Sequence, residues 1–181
     1  MPIFRGRPAC DCLARWLPVY ERELKDRGLL KVELDIYQLI GAATASAGTH
    51  RSGGAFDVGQ VAAEQIRVAR QMGAAMWHRK PPTFATPHGH GVLKGCPHAD
   101  PSAKAQVVEL EAGGDGLVGS ASDDGPRDVQ IPLRTWEEGI AWARRNQRRR
   151  DLTVKIRAQR AALVRGRRRL GRLITRREGL S

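Results

Sequence analysis

The strongest constraint on the fold of this chain is an abrupt change in charge at residue 144. Between Arg144 and Arg177 the sequence has 15 Lys and Arg residues and a single acid, Asp151, whereas residues 1–143 carry 16 basic and 17 acidic side chains. Like charges at this density cannot be buried together. A hydrophobic core must therefore come from residues 1–143. We expect one small domain there, followed by an Arg-rich tail, residues 144–181, that is helical or partly disordered.

The apolar content and its distribution argue against a wholly disordered protein and against a transmembrane protein. Hydrophobic residues make up 41% of the chain, which is ordinary for a globular protein and too high for a wholly disordered one. No run of 18 apolar residues is present, so no transmembrane helix is predicted. The N-terminus, MPIFRGRPACDC, lacks the apolar stretch of a signal peptide. We therefore expect a monomeric protein that is made in the cytoplasm and acts outside the cell only after release.

Hydrophobic periodicity predicts a mixture of helices and strands. Helices are predicted over residues 9–27, interrupted by Pro18 and ending at Gly28, and over residues 61–76. A third helix is predicted from Trp136, capped by Thr135 and Glu138, with a further helical stretch over residues 152–177. Strands are predicted over residues 32–40, 88–93 and 106–112.

The cysteines give no clear metal or disulfide pattern. Cys10 and Cys12 are too close in sequence for an easy disulfide, and their spacing matches no zinc knuckle. Cys96 lies in the segment Gly95-Cys96-Pro97-His98. We interpret all three as reduced, partly buried thiols, and we do not expect Cys96 to be a nucleophile.

Two short segments carry the residue types of a metal site. His50 and Asp57 are separated by glycines that let the backbone turn, so that the two side chains can face each other. His88 and His90 are two apart on a predicted strand, where both imidazoles lie on the same face. Imidazole and carboxylate are good zinc ligands, and three protein ligands with an open fourth position are typical of catalytic zinc. Taken alone, His50 and Asp57 could instead cap turns.

Together, the patterns H-x-x-G-x-A-x-D (residues 50–57) and H-x-H (residues 88–90) resemble those of the LAS metallopeptidases. This group includes zinc D-alanyl-D-alanine carboxypeptidases, phage endolysin peptidases and the related hedgehog signalling domain. The segments Trp77-His78-Arg79, Gly95-Cys96-Pro97-His98 and Arg134-Thr135-Trp136 are similar to those of endolysin-like proteins of actinobacteria and their phages. The resemblance covers about residues 30–145, with its motif core at about residues 30–100.

The resemblance implies an α+β fold, a small hedgehog/DD-peptidase-like domain with a central antiparallel sheet flanked by helices. It implies one zinc ion bound by His50, Asp57 and His90, with His88 beside the metal as the catalytic partner. The implied function is cleavage of stem-peptide or cross-bridge bonds in bacterial peptidoglycan, as in a phage endolysin released at lysis. Further candidates for the cleft or for the surroundings of the ligands are His78, His98 and Gln38.

The sequence departs from the family at the general base, which is usually a carboxylate a few residues before the last ligand. Between Met72 and His88 there is no Asp or Glu, and Pro87 occupies the position of the acid in related endolysins. Several alternatives remain open. The base could be a histidine or a carboxylate from elsewhere in the chain, or the domain could bind zinc without strong catalysis; the residues concerned are His78, His88, Asp100 and Asp123.

The Arg-rich tail has three interpretations. It could be a solvated extension, or it could bind an anionic polymer such as wall teichoic acid, teichuronic acid or anionic lipid. Nucleic acid is a weaker alternative, because the tail lacks aromatic residues that would stack on bases. As a rival to the enzyme hypothesis, the whole chain could be a zinc-stabilised module whose tail is the binding element.

Overall fold

The computed structural model describes residues 1–41, 48–117 and 121–178, with side chains as far as Arg169. Within these residues the fold is α+β, with four helices and two antiparallel sheets. The predicted α+β class, the antiparallel sheet and a helical C-terminal segment are confirmed. The elements are β1 (Ile3–Phe4), β2 (Arg7–Pro8), α1 (Asp11–Asp26), β3 (Ile36–Gln38), β4 (Ala55–Val58), α2 (Ala63–Gln71), β5 (Ala74–Arg79), β6 (His88–Leu93), α3 (Pro101–Glu111) and α4 (Trp136–Glu178).

The larger sheet has the strand order β3-β4-β6-β5, and each neighbouring pair is antiparallel. Its register places Gln38 beside Asp57, Asp57 beside His90, and His90 beside Trp77. Paired residues of adjacent strands project to the same face. One row across β4, β6 and β5 therefore carries a carboxylate, an imidazole and an indole, whereas at β3 a register shift between Ile36 and Gln38 interrupts the alternation.

The alternation of His and Gly along β6 separates a polar face from a packed one. His88 and His90 project to one face, and the intervening glycines project to the other. A Cβ at Gly89 would lie 2.7 Å from Cε of Met76, and a Cβ at Gly91 would overlap the ring of Phe56. The sheet can approach its core this closely only because these two positions lack side chains.

The core on that side is formed mainly by α1. Its buried face carries Leu13, Trp16, Leu17, Tyr20 and Leu24 at helical spacing. The indole nitrogen of Trp16 donates a hydrogen bond to the carbonyl oxygen of Met72 at 2.8 Å, which connects α1 to the end of α2.

Pro18 does not interrupt this helix, contrary to the sequence prediction. It lies exposed inside the continuous helix Asp11–Asp26. Apolar residues on both sides of Pro18 are buried in the same core, and this packing outweighs the lost backbone hydrogen bond. The predicted end of the helix is confirmed, since Gly28 follows the C-cap residue with φ +71°.

Three other predicted elements differ from the structure. The helix predicted over 61–76 ends at Gln71, because Gly73, at φ +84°, turns the chain into β5. The strand predicted over 32–40 is shorter, Ile36–Gln38. The strand predicted over 106–112 is instead part of α3, in which Ala103, Val107 and Leu110 form the buried face. Val108, which lies within the segment predicted as a strand, is 64% exposed.

The chain divides into two compact units, Met1–Ala143 and Arg144–Ser181. In the first unit, α4 begins at Trp136 with the predicted capping box. The backbone N–H of Thr135 donates to Glu138 Oε2 at 2.8 Å, and that of Glu138 donates to Thr135 Oγ1 at 3.3 Å. In the second unit, residues 151–169 are exposed, and residues 179–181 lie outside the described residues. No helix within the described residues is long and apolar enough to cross a membrane.

Candidate metal centre

His50, Asp57 and His90 form a tight cluster on the polar face of the sheet. Nε2 of His50 lies 3.3 Å from Oδ2 of Asp57, and Nδ1 of His90 lies 2.7 Å from Oδ1 of Asp57. The two ring nitrogens are 3.4 Å apart. One ligand atom from each residue lies within 4.8 Å of the others, so this group can hold a metal ion. The cluster combines neighbouring strand positions, Asp57 on β4 and His90 on β6, with His50 from the turn at residues 48–54.

The outer nitrogen of each imidazole is held by a hydrogen-bond acceptor. Nδ1 of His50 lies 2.8 Å from the carbonyl oxygen of Leu39, and Nε2 of His90 lies 2.8 Å from Oε1 of Gln106. An oxygen of this kind only accepts, so each of these nitrogens carries the hydrogen. The inner nitrogens, Nε2 of His50 and Nδ1 of His90, then present lone pairs.

With both rings in this neutral form, two nitrogen lone pairs and a carboxylate face one another in a buried site. This arrangement is repulsive unless a cation lies among the three groups, either a metal ion or, without one, a proton in the 2.7 Å contact between Nδ1 of His90 and Oδ1 of Asp57. In tetrahedral zinc sites, bonds of about 2.0–2.1 Å separate neighbouring N and O ligands by about 3.3 Å. The distances from His50 to its two partners agree with this value, and the distance of 2.7 Å between His90 and Asp57 is shorter. The donor set fits a divalent cation such as zinc.

Burial and hydrogen bonding also adjust the protonation of the cluster. Burial by itself raises the pKa of Asp57, but the hydrogen bonds and charges of His50 and His90 outweigh burial and bring the pKa below its usual value. Desolvation lowers the pKa of His90, and the opposing effect of Asp57 is smaller. The carboxylate is thus ionised and the His90 imidazole neutral near pH 7, which are the forms that bind metals.

His88 lies beside this cluster with one free nitrogen. Its Nδ1 lies 2.8 Å from the carbonyl oxygen of Thr86 and donates to it, so Nε2 is the unprotonated nitrogen of the neutral ring. Nε2 is 4.0 Å from Oδ1 of Asp57. The phenyl ring of Phe84 contacts the imidazole edge to face, with 5.5 Å between centroids. His88 is therefore placed to accept a proton at Nε2 next to the three-residue cluster.

A cleft of about 290 Å³ runs along the end of β5 and includes residues that contact both histidines of β6. The indole of Trp77 stacks on His90, with 6.2 Å between ring centroids, and Phe84 lines the same cleft. Arg79 also lines it, and Nη2 of Arg79 is buried without a hydrogen-bond partner among the described residues. Burial lowers the pKa of Arg79 to about 10, so the side chain remains charged at neutral pH.

The remaining site candidates lie in different places. Gln38 lies next to Asp57 in the sheet, and its buried Nε2 has no partner among the described residues. His78 is paired with Gly89 and therefore projects to the face opposite His90. His98 lies near Cys12 and Cys96 rather than near the His50 cluster. Of the three, only Gln38 is paired in the sheet with a residue of the cluster.

Neither carboxylate considered as a distant base lies in the cluster. Asp123 forms a bidentate ion pair with Arg70, with both N···O distances 2.8 Å and both side chains buried. Asp100 accepts hydrogen bonds from the backbone N–H and the hydroxyl of Ser52. These contacts occupy both groups, and His88 is the remaining candidate base at the cluster.

Gln106 and Arg79 are candidate functional residues that the sequence did not indicate. Gln106 was assigned to a strand, and only its position on α3 brings it to His90. Arg79 lies in the segment Trp77-His78-Arg79, whose resemblance to endolysin-like sequences was the available signal. Comparison of the chain with protein-family models, with curated proteins and with solved structures finds no match.

Proposed function

We propose that this protein is a zinc-dependent peptidase that cleaves peptide bonds in bacterial peptidoglycan, in the manner of a phage endolysin. The observation that carries the proposal is the convergence of His50 Nε2, Asp57 and His90 Nδ1, with the opposite nitrogen of each imidazole held by an acceptor. Such outer hydrogen bonds orient the ligands of zinc enzymes. The motif resemblance to LAS metallopeptidases supplies the substrate class.

The proposed roles divide among the residues of the polar face. His50, Asp57 and His90 would hold zinc, leaving a fourth position for substrate or water. When bound there, zinc supplies a Lewis acid that polarises a peptide carbonyl and lowers the pKa of water towards neutrality. His88 accepts a proton at Nε2 and returns it to the leaving amine, so that an imidazole takes the place of the usual carboxylate.

Two cleft residues would position the peptide. The buried, unpartnered Nη2 of Arg79 can donate to a carboxylate or carbonyl oxygen of a stem peptide. The indole of Trp77 provides an apolar wall beside His90, which excludes water from one side of the site. A charged donor and an apolar wall along one cleft suit a short peptide with a free carboxylate.

The test uses purified peptidoglycan and the full chain, and the products are identified by mass spectrometry. We expect new amine termini in the stem peptide or cross-bridge, loss of activity on chelation, and recovery with zinc. The variants His50→Ala and His90→Ala should be inactive, while the control Gln130→Ala, at an exposed position outside the cleft lining, should retain activity. Peptide release that persists in His50→Ala and His90→Ala would rule out the zinc mechanism.

A second candidate function rests on the tail. Residues 151–169 are exposed and rich in Arg, which favours binding of an anionic wall polymer or, less strongly, nucleic acid. On this alternative the zinc only stabilises the fold, and the protein is not an enzyme. Zinc-loaded protein that binds cell walls with steep salt dependence but releases no peptide would support the binding module over the peptidase.

A further inference from the structure

A second group of metal-binding side chains lies outside the cluster described above. Two short segments supply it, Cys10-Asp11-Cys12 at the beginning of α1 and Cys96-Pro97-His98 in the loop between β6 and α3. Sγ of Cys10 lies 3.8 Å from Sγ of Cys96. Nδ1 of His98 lies 3.5 Å from Sγ of Cys12 and 3.8 Å from Sγ of Cys96. All four ligand atoms lie within 4.8 Å of one another.

These distances agree with the edges of a zinc tetrahedron. Zinc–sulfur bonds of about 2.3 Å at tetrahedral angles separate two sulfurs by about 3.8 Å. A zinc–nitrogen bond of about 2.0–2.1 Å gives a sulfur–nitrogen edge of about 3.5–3.6 Å. The distance between Cys10 and Cys96 equals the first value, and the two distances to His98 bracket the second.

The surroundings favour a site that is buried at its three sulfurs and reaches the surface at His98, which is exposed. Cys10, Cys12 and Cys96 are 4%, 3% and 2% exposed. The backbone N–H of Gly54 lies 3.3 Å from Sγ of Cys10, a contact that stabilises negative charge on sulfur. Cys10 is also the N-cap residue of α1, where the helix dipole favours an anion.

A disulfide accounts for less of this geometry. A bond between Cys10 and Cys96 requires their sulfurs to approach to about 2.05 Å, against the observed 3.8 Å. Such a bond would also leave unexplained why the side chains of Cys12 and His98 converge on the same position as the two bonded sulfurs. Four convergent ligands of these types are characteristic of structural zinc.

We propose that Cys10, Cys12, Cys96 and His98 bind a structural zinc ion. All four coordination positions are filled by the protein, so this ion would take no part in catalysis. The inference does not depend on the proposed function, because it uses no residue of the His50 cluster. The three cysteines are free and buried, in agreement with the sequence-based interpretation, and the proposal adds a metal ion that they would share.

The site would join the beginning of α1 to the loop after β6, next to the turn at residues 48–54 that leads from His50 to Asp57 on β4. A Cβ at Gly53 would lie 2.8 Å from Cβ of Cys10, and a Cβ at Gly54 would lie 3.1 Å from Sγ of Cys96. The turn thus packs directly on the sulfur cluster. A zinc ion held there would hold the turn against α1 and against the loop after β6.

The test measures metal in the full chain purified under reducing conditions. We expect two zinc ions per chain, and one after either Cys12→Ser or His98→Ala. The matched variant His50→Ala should also retain one. In that variant, cobalt substitution should give the near-ultraviolet absorption of cobalt–thiolate bonds, because the remaining site contains sulfur.

Three outcomes would overturn the proposal. They are a cobalt spectrum of the wild-type chain without thiolate absorption, free reaction of all three thiols with a thiol reagent in the folded zinc-loaded protein, or a Cys10–Cys96 disulfide in the reduced preparation. The cobalt and thiol measurements use the wild-type chain, so they decide the question even if a variant fails to fold. Peptidase activity is not measured, so a failed function would not affect the result.

Discussion

Nε2 of His90 lies 2.8 Å from Oε1 of Gln106, so the side chain of an α3 residue determines which nitrogen of His90 faces Asp57. The hydrogen on Nε2 is donated to Gln106, and Nδ1 is left as the metal-binding atom. This contact connects α3 to the outer nitrogen of the His90 ring. Gln106 is therefore a positioning residue rather than a ligand.

Replacing this amide should weaken metal binding without removing a ligand. We expect Gln106→Leu to reduce zinc affinity by about 10–100-fold, because His90 loses the acceptor that orients its ring. Competition with a chromophoric chelator measures the change. Gln130→Leu makes the same chemical substitution at an exposed position and should leave the affinity unaltered. Equal affinities of Gln106→Leu and wild type would show that the hydrogen bond does not orient the ring.

His88 should affect turnover and not metal content. If its Nε2 is the base of the proposed peptidase, His88→Gln should lower kcat by about 10²–10⁴-fold while zinc remains bound. Gln130→Ala, at an exposed position outside the cleft lining, serves as the control. A His88→Gln enzyme with an unchanged kcat would assign the base to another group.

The metal-free protein should lose stability in acid. The pKa of His90 is lowered by burial from 6.5, and that of Asp57 also lies below its usual value, so the unfolded chain binds protons more readily than the folded chain. The contribution of these two groups to the free energy of unfolding is therefore fully present above pH 6.5 and declines as the pH falls below that value. The contribution of His90 is at most about 1.4 kcal/mol per pH unit.

Urea unfolding of chelator-treated protein between pH 7 and pH 5 measures this slope. His90→Gln should reduce it, because the variant has no imidazole to protonate at that position. A slope that is identical in the variant would mean that other groups cause the acid sensitivity.

The absence of a side chain at Gly91 should be essential to the sheet. Because a Cβ there would overlap the ring of Phe56, we expect Gly91→Ala to reduce the free energy of unfolding by about 1–3 kcal/mol. A Cβ at Gly166 would meet no described atom within 4 Å beyond the backbone of its own helix, so Gly166→Ala should cause no loss. Denaturant unfolding compares the two. A Gly91→Ala protein as stable as the wild type would show that Phe56 can move aside.

Breaking the buried ion pair between Arg70 and Asp123 should reduce the free energy of unfolding by more than breaking an exposed ion pair. Asp123→Asn leaves the Arg70 guanidinium buried without its counter-ion, which costs about 3–5 kcal/mol of unfolding free energy. Asp124 pairs with Lys80 at the surface, and Asp124→Asn should cost less than about 1 kcal/mol. Denaturant unfolding of the two variants measures the difference. Similar losses of unfolding free energy in Asp123→Asn and Asp124→Asn would show that burial does not distinguish the two ion pairs.

The sequence alone predicted the structural elements that depend on residues close together in the chain. The His and Gly alternation of β6 predicted a strand with two imidazoles on one face, and Thr135 with Glu138 predicted the beginning of α4. The change in charge at residue 144 also lies at the division between the two compact units. These features depend on backbone periodicity, capping and charge, which act over a few residues along the chain.

The tertiary structure decided what depends on contacts between distant segments. Pro18 remains inside a helix because α1 buries its apolar face in the core. Residues 106–111 are helical because Ala103, Val107 and Leu110 form one buried helical face in that core. The patterns C-x-C and C-x-H carry no signal separately, since neither contains enough ligands for a metal. The two pairs, Cys10 with Cys12 and Cys96 with His98, are far apart in sequence, and the larger sheet lies between them in the chain. The fold of that sheet brings the two pairs together.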